Sequence, residues 1–264
     1  MSILNDIISL TQHLDKSLFM MILTGFLAQL INGTMGMGFG LISTSVLLGI
    51  GIPVPAISSS VHTAEVVACG ASAYSHYKFG NVNKKLLRHM LVPAVLGSII
   101  GAFLLAELGK KYAVYVRPVV AAYTLFISIR LLLKAIRTKQ RKKQVKRVGW
   151  LAFAGASVDA FGGCGWGPLV TSTLIAKGRA PKYVVGTVNI TRFFLTFAST
   201  ITFFIMIGVS HWKTVVGLIV GGVIAAPIGS RLVGKLPAKP MLIAVGIVIT
   251  LWSSFLLFQT FFLS

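Results

Sequence analysis

Apolar residues fall in eight long runs, roughly 18–48, 55–79, 86–106, 112–136, 148–176, 183–209, 212–234 and 240–263, separated by short gaps rich in Lys and Arg. Each is near or above the ~20 residues a helix needs to cross a ~30 Å hydrocarbon layer. The pattern predicts an all-α polytopic membrane protein of about eight hydrophobic helical segments. Two of the runs carry their own interruption. A helix over 18–48 would be about 46 Å long at ~1.5 Å per residue, too long for one straight crossing. Gly36, Gly38 and Gly40 lie in its middle, and each disfavours helix by ~1 kcal/mol relative to Ala. The fifth run repeats the interruption with Gly163, Gly165 and Gly167 and adds Pro168, which has no backbone N–H to donate. Both runs are expected to break, and broken helices at membrane depth are tolerated only inside protein or along a wet cavity.

The two interruptions belong to a longer internal similarity. Asn32 to Gly40 (NGTMGMGFG) aligns without a gap to Asp159 to Gly167 (DAFGGCGWG). The same register pairs Thr44-Ser45 with Thr171-Ser172, Gly51 with Gly178, Val61-His62 with Val188-Asn189, and Glu65 with Arg192. After a one-residue slip, Ile100-Gly101 falls on Ile228-Gly229 and Leu108 on Leu236. This predicts two homologous halves: an N-terminal tail over 1–17, a first transmembrane repeat over 18–136, a basic linker over 137–147 (RTKQRKKQVKR), and a second repeat over 148–264.

Composition narrows the class. Hydrophobic residues make up 55% of the 264 and charged residues 11%, against roughly 25% charged in a soluble domain. Soluble enzymes, disordered tails and disulfide scaffolds are excluded. The net charge of +20 does not point to nucleic acid, because the basic residues lie mostly between apolar runs, where they set membrane orientation. If all eight runs cross, the loop Lys and Arg divide 15 to 9 between the two sides. If runs one and five dip in and return, the division is 19 to 5. The positive-inside rule favours the second arrangement, which makes the repeats inverted and puts the 137–147 linker on the cytoplasmic side, near anionic lipid. The first 17 residues carry Asp6 and Asp15 and no basic n-region, so a cleaved signal peptide is not expected.

Ionisable residues inside apolar runs are the candidate chemistry, because a charge at the bilayer centre costs about 2.5–3.5 kcal/mol even on insertion scales. His62 and Glu65 are three residues apart, on one helical face, and Asn189 and Arg192 repeat that spacing in the second half. Glu65 either pairs with Arg192 as a structural ion pair, or the two line one cavity in which Arg192 attracts an anion and Glu65 or His62 handles a proton. The Gly runs either expose backbone N–H groups to an anion at half-helix ends or let helices pack closely. Asn32 and Asp159, at the head of the two runs, either cap half-helices or touch solute. Cys69 and Cys164 imply no disulfide, and a lone buried cysteine such as Cys164 is most simply an apolar filler. His13, His76, His89 and His211 fall near run ends without metal-ligand spacing, and no nucleophile has an evident base. No metal, cofactor or enzymatic activity is expected.

Several stretches together resemble the sulfite exporter TauE/SafE family of bacterial membrane proteins. They are Asn32 to Gly40, Ser59 to Glu65 (SSVHTAE), His76 to Val82 (HYKFGNV), Gly162 to Pro168 (GGCGWGP), Gly178 to Pro181 and Val185 to Asn189. The resemblance runs from about residue 20 to 260. It implies a two-half permease of the cytoplasmic membrane that moves sulfite, sulfoacetate or other small anions, mostly outward. The chain departs from the family pattern at Arg192, where relatives carry an acid, and at Cys164, where they carry glycine.

The expected function is a secondary transporter, an exporter of a small anion, with possible proton coupling and no ATP-binding motif. Its expected site joins Asn32, Gly36, Gly38 and Gly40 of the first Gly run to Asp159, Gly163, Cys164, Gly165 and Trp166 of the second. His62, Glu65, Asn189 and Arg192 flank it. The alternatives are a non-catalytic membrane partner acting through the basic linker, and an intramembrane thiol-dependent sulfur carrier using Cys164.

Overall fold

The computed structural model describes residues 16–136, 145, 147–161, 163–235 and most positions from 240 to 258. Its first half contains α1 (Lys16–Met35), α2 (Phe39–Gly49), α3 (Val54–Lys78), α4 (Lys84–Lys111) and α5 (Ala113–Ile136). The second contains α6 (Val148–Asp159), a π-helical turn (Trp166–Thr171) leading into α7 (Ser172–Ala176), α8 (Pro181–Met206) and α9 (Trp212–Leu232). The described positions between 240 and 258 are helical, and no described residue is in a strand. The predicted tail over 1–17 and linker over 137–147 lie outside the described residues, apart from Lys16, Ser17, Val145 and Arg147.

Among the described residues, four helices are long and apolar enough to cross a membrane: Lys16–Met35, Lys84–Gly109, Pro181–Met206 and Trp212–Leu232. They expose large apolar side chains such as Phe19, Leu23, Phe103, Phe197 and Phe204, a surface that water would not tolerate over such an extent. α3 has the length to cross but carries an unusually polar face, and that face is buried in protein: Ser58, His62, Glu65, Ser72 and His76 are all inaccessible. Local signals set the helix starts. The Asn83 side chain accepts from the Leu86 amide at 2.9 Å at the head of α4, and prolines occupy the first turns of α3 and α8.

Both interrupted runs are hairpins. The chain breaks between α1 and α2 at Gly36 (φ 70°) and Gly38 (φ 119°), and between α6 and the π-turn at Gly163 (φ 67°). These are left-handed conformations that favour glycine. After the first break the chain returns to its starting level, where Ile50 and Ile52 line the same surface pocket as Ser17, Leu18, Met20 and Met21. In the second half Leu174 and Ile175 join the apolar cluster of Val148 and Leu151. The hairpins also end alike. Gly51 and Ile52 donate to the Leu48 and Leu47 carbonyls, and Gly178 and Arg179 donate to those of Ile175 and Leu174, a glycine-terminated helix end.

Helix directions follow from which residues meet. α1 runs parallel to α9, with Met21 against Gly217 and Gly33 against Gly229. α4 runs parallel to α6, with Gly97 against Phe153 and Gly101 against Ser157. α3 and α8 are antiparallel: Ser72 bonds Asn189, Glu65 pairs with Arg192, and His62 meets Phe203. If both broken runs crossed a membrane, strict alternation would make α3 and α8 parallel. With the intervening runs crossing, their opposite directions place a return in the second hairpin, and the parallel course of α1 and α9 then places one in the first. Two of the eight expected segments are thus hairpins.

One end of the bundle collects the basic loops. Arg231 lies 5.6 Å from the centre of the Phe79 ring, the Asn81 backbone abuts Gly186, and Gly149 abuts His89 and Pro93. The apolar core sits mainly at the other end, around Phe39, Leu47, Ile57, Val61, Phe203 and Leu218. The ionisable cluster lies between.

Candidate functional site

The two hairpin tips cross in the middle of the molecule at backbone contact. A Cβ on Gly40 would lie 1.8 Å from the Gly163 carbonyl oxygen, and one on Gly167 would lie 2.1 Å from the Met37 Cβ. The Thr171 hydroxyl donates to the Gly36 carbonyl at 2.8 Å, tying one tip to the other. α3 and α8 flank this crossing and present their polar faces to it.

Arg192 of α8 is the hub. Its Nη2 lies 2.9 Å from Glu65 Oε1 and 3.2 Å from Asp159 Oδ1, and it donates to the Gly163 carbonyl at 3.0 Å. All three ionisable side chains are buried. The two carboxylates are held very differently. Asp159 Oδ1 also accepts the backbone amides of Gly165 at 2.9 Å and Trp166 at 2.8 Å, so it caps the returning half-helix. Glu65 has only its ion pair, and neither of its oxygens receives an aligned hydrogen bond. His62 Nδ1 donates to the Ser58 carbonyl at 2.9 Å. Its Nε2 has no partner within the protein, and its ring meets Phe203 edge-on at 5.5 Å.

An amide network adjoins the charges. Asn32 Nδ2 donates to Asn189 Oδ1 at 2.9 Å and to Gln29 Oε1 at 3.3 Å. Asn189 Oδ1 also accepts from Ser72 at 3.3 Å, and its Nδ2 donates to the Val185 carbonyl at 3.0 Å. Asn32 Oδ1 and Gln29 Nε2 are buried without partners. With His62 neutral, two carboxylates and one guanidinium leave the centre one negative charge in excess. Isolated buried ions cost several kcal/mol each, so a stable core would not accumulate these groups without use. The ligand atoms of His62, Glu65 and Asp159 all lie within 4.8 Å of one another, a spacing that could hold a cation. The cation the two carboxylates share is the Arg192 guanidinium.

Residues 21–256 match the family described as Sulfite exporter TauE/SafE. The chain belongs to that family. It is also 38% identical over 241 residues to the "Probable membrane transporter protein YtnM" of Bacillus subtilis (strain 168), covering 88% of this chain and 79% of the relative. No solved structure matches it. The chain is therefore a multi-pass cell-membrane transporter and not an enzyme.

Within this TauE/SafE fold the expected site residues separate. Asn32, His62, Glu65, Asp159, Asn189 and Arg192 come together. Gly36 and Gly38 make the first turn, and Gly40 and Gly163 serve the backbone crossing. The expectation that amides of the second Gly run point freely into a cavity is corrected. The Gly163 amide donates to the Asp159 carbonyl, and the Asp159 carboxylate takes those of Gly165 and Trp166, because a capping carboxylate is the nearer and stronger acceptor. Trp166 is also displaced from the expected site. Its indole donates to the Val188 carbonyl at 3.2 Å, and its ring packs in the cluster of Val170 and Val188. Cys164 lies in an apolar cluster with Met35, Leu41, Ile127 and Ile249.

Two residues were not singled out from sequence. Gln29 reaches the network because it is one helical turn before Asn32, a signal present in the spacing. His76, expected near a run end, is buried and accepts from Asn81 Nδ2 at 3.1 Å, while Asn81 reaches the Ser230 carbonyl at 3.3 Å. Its signal is the row Ser58, His62, Glu65, Cys69, Ser72 and His76, which holds three- and four-residue spacing along one face of α3.

Proposed function

We propose that this transporter moves a small oxyanion, such as sulfite or a sulfonate, out of the cell, and that the Arg192 cluster is its solute site. The carrying observation is a buried guanidinium at the crossing of two hairpins, 2.9 Å from a carboxylate that receives no other aligned bond. A cation so placed offers planar, charge-assisted donors to an oxyanion. Its Nε has no partner. The family description and the outward transport it implies support sulfite and the direction.

In this reading the two halves are inverted repeats, each opening on a re-entrant hairpin. Positions 127 residues apart behave alike: Gly36 with Gly163 and Gly51 with Gly178 are left-handed, and Asn32 and Asp159 carbonyls receive the matching tip amides at 2.7 and 2.5 Å. With the hairpins returning, 19 basic residues face the cytoplasm and 5 the outside. Discontinuous segments meeting at mid-membrane in inverted repeats are a recurrent transporter plan, in which rocking about the site alternates access. Glu65 or His62 couples a proton to this cycle.

The test is sulfite and sulfonate flux in proteoliposomes, with and without an imposed pH gradient. Arg192→Ala is expected to abolish flux while the protein still reaches the membrane. Wild-type flux in that variant removes the cluster as the solute site.

A further inference from the structure

The two carboxylates around Arg192 differ in a way that assigns them different tasks. Asp159 is bound by two backbone amides and the guanidinium, so it travels with its hairpin as a fixed, ionised partner. Glu65 touches the same guanidinium nitrogen at 2.9 Å and has no aligned hydrogen bond to hold it. Chemically, its headgroup is a planar oxyanion resting on a buried guanidinium. A sulfonate, sulfite or carboxylate solute would take that position.

We infer that Glu65 is a tethered stand-in for the solute: the anion displaces it from Arg192, and the displaced carboxylate takes up one proton. This rests on the anion-transport reading and assigns its coupling. The proton is required by the surroundings. The groups facing Glu65 are Arg192 from α8, Asp159 from the end of α6, His62 and Cys69 from α3, and Cys164 from the second hairpin. Arg192 is the one cation among them. Once the solute occupies it, an ionised Glu65 would be a buried charge beside two further negative groups, an arrangement that proteins avoid by protonation. His62, with Nε2 unpartnered, lies on the same face and can pass the proton.

The charge balance makes the proposal specific. The empty site holds Glu65 and Asp159 as anions and Arg192 as a cation, for a net charge of −1. The loaded site holds neutral Glu65, the Asp159 anion, the Arg192 cation and a monovalent solute, again −1. The proton comes from water on the loading side and leaves with the solute on the other, so no other co-reactant is needed. Transport of a monoanion is therefore proton symport at one proton per anion, and it is electroneutral.

Methanesulfonate, a monoanion throughout the accessible pH range, is the probe alongside sulfite, with full-length protein in proteoliposomes. Expected for the wild type is methanesulfonate uptake driven by an inwardly directed proton gradient and unmoved by a potassium diffusion potential. Glu65→Gln, the neutral isostere, is expected to reverse this pattern: the pH gradient no longer drives uptake, and the potential does. An internal pH dye gives an independent reading in the wild type, one proton entering per anion, and this decides the matter if the variant does not fold or does not transport. Wild-type flux indifferent to the pH gradient, or Glu65→Gln still driven by it, overturns the inference and leaves anion transport standing. No flux of either probe in the wild type overturns the anion-transport reading itself, and this inference with it.

Discussion

Asn32 and Asn189, 157 positions apart in the chain, hydrogen-bond at 2.9 Å. The bond joins the end of α1, just before the first hairpin tip, to α8, three positions from the Arg192 hub. Ser72 of α3 shares the same acceptor. One amide thus connects three helices beside the charge cluster, in a place where water is excluded and unpaired polar groups are costly.

Asn189→Ala should therefore destabilise the protein. It strands the Asn32 amide and the Ser72 hydroxyl, and a buried unsatisfied group costs about 1–3 kcal/mol. The expected result is a clear fall in the thermal unfolding midpoint of the detergent-solubilised protein. An unchanged midpoint would mean that the network does not hold the hairpin.

The dual use of Asp159 predicts a split between two substitutions. Asp159→Asn keeps an oxygen that can accept the Gly165 and Trp166 amides but removes the charge facing Arg192. Asp159→Ala removes both and leaves a buried cation less compensated, a loss of about 3–5 kcal/mol when one partner of a buried pair is deleted. Fluorescence-detected size-exclusion should show Asp159→Ala aggregated or absent and Asp159→Asn still monodisperse. Equal behaviour of the two would dismiss the capping role.

Steric consequences at the hairpin crossing are sharper. Gly40→Ala would place its methyl 1.8 Å from the Gly163 backbone oxygen, which no side-chain adjustment relieves, so folded protein should be lost. Gly51→Ala is the control. It has open space but a φ of 84°, and left-handed backbone costs an L-residue about 1–2 kcal/mol. Membrane yield should fall steeply for the first and modestly for the second.

Topology can be read by single cysteines. Ser17→Cys and Gly51→Cys are expected to react with an impermeant maleimide from one side of the membrane, and Lys235→Cys from the other. Cys69 and Cys164 are buried and should stay silent under native conditions. Opposite-side labelling of residues 17 and 51 would show that the first hairpin crosses.

Much of this architecture was legible from local chemistry. The hairpin breaks could be placed because Gly36, Gly38 and Gly163 are needed for backbone shapes other residues resist, and that need shows in the chain itself. The central position of α3 was readable from its serines, His62 and Glu65, which cannot face lipid. Cys164 was readable as an apolar filler, and it packs with Met35 and Ile127, but the role of Trp166 was not readable. It sits in a Gly run that points to the site, yet its direction depends on what packs around it, Val170 of its own turn and Val188 of α8.

By itself, the chain determined a helical membrane protein, two interrupted segments, and a short list of charges too costly to bury without purpose. These follow from hydropathy, glycine conformation and desolvation, which act residue by residue. Only the tertiary structure decided that α3 and α8 run in opposite directions and α1 and α9 in the same one, the directions from which returning hairpins are inferred. It also decided that Asp159 is locked by amides while Glu65 rests on Arg192 alone. Pairing among distant residues depends on which helices touch and at what level, and no local pattern carries that information.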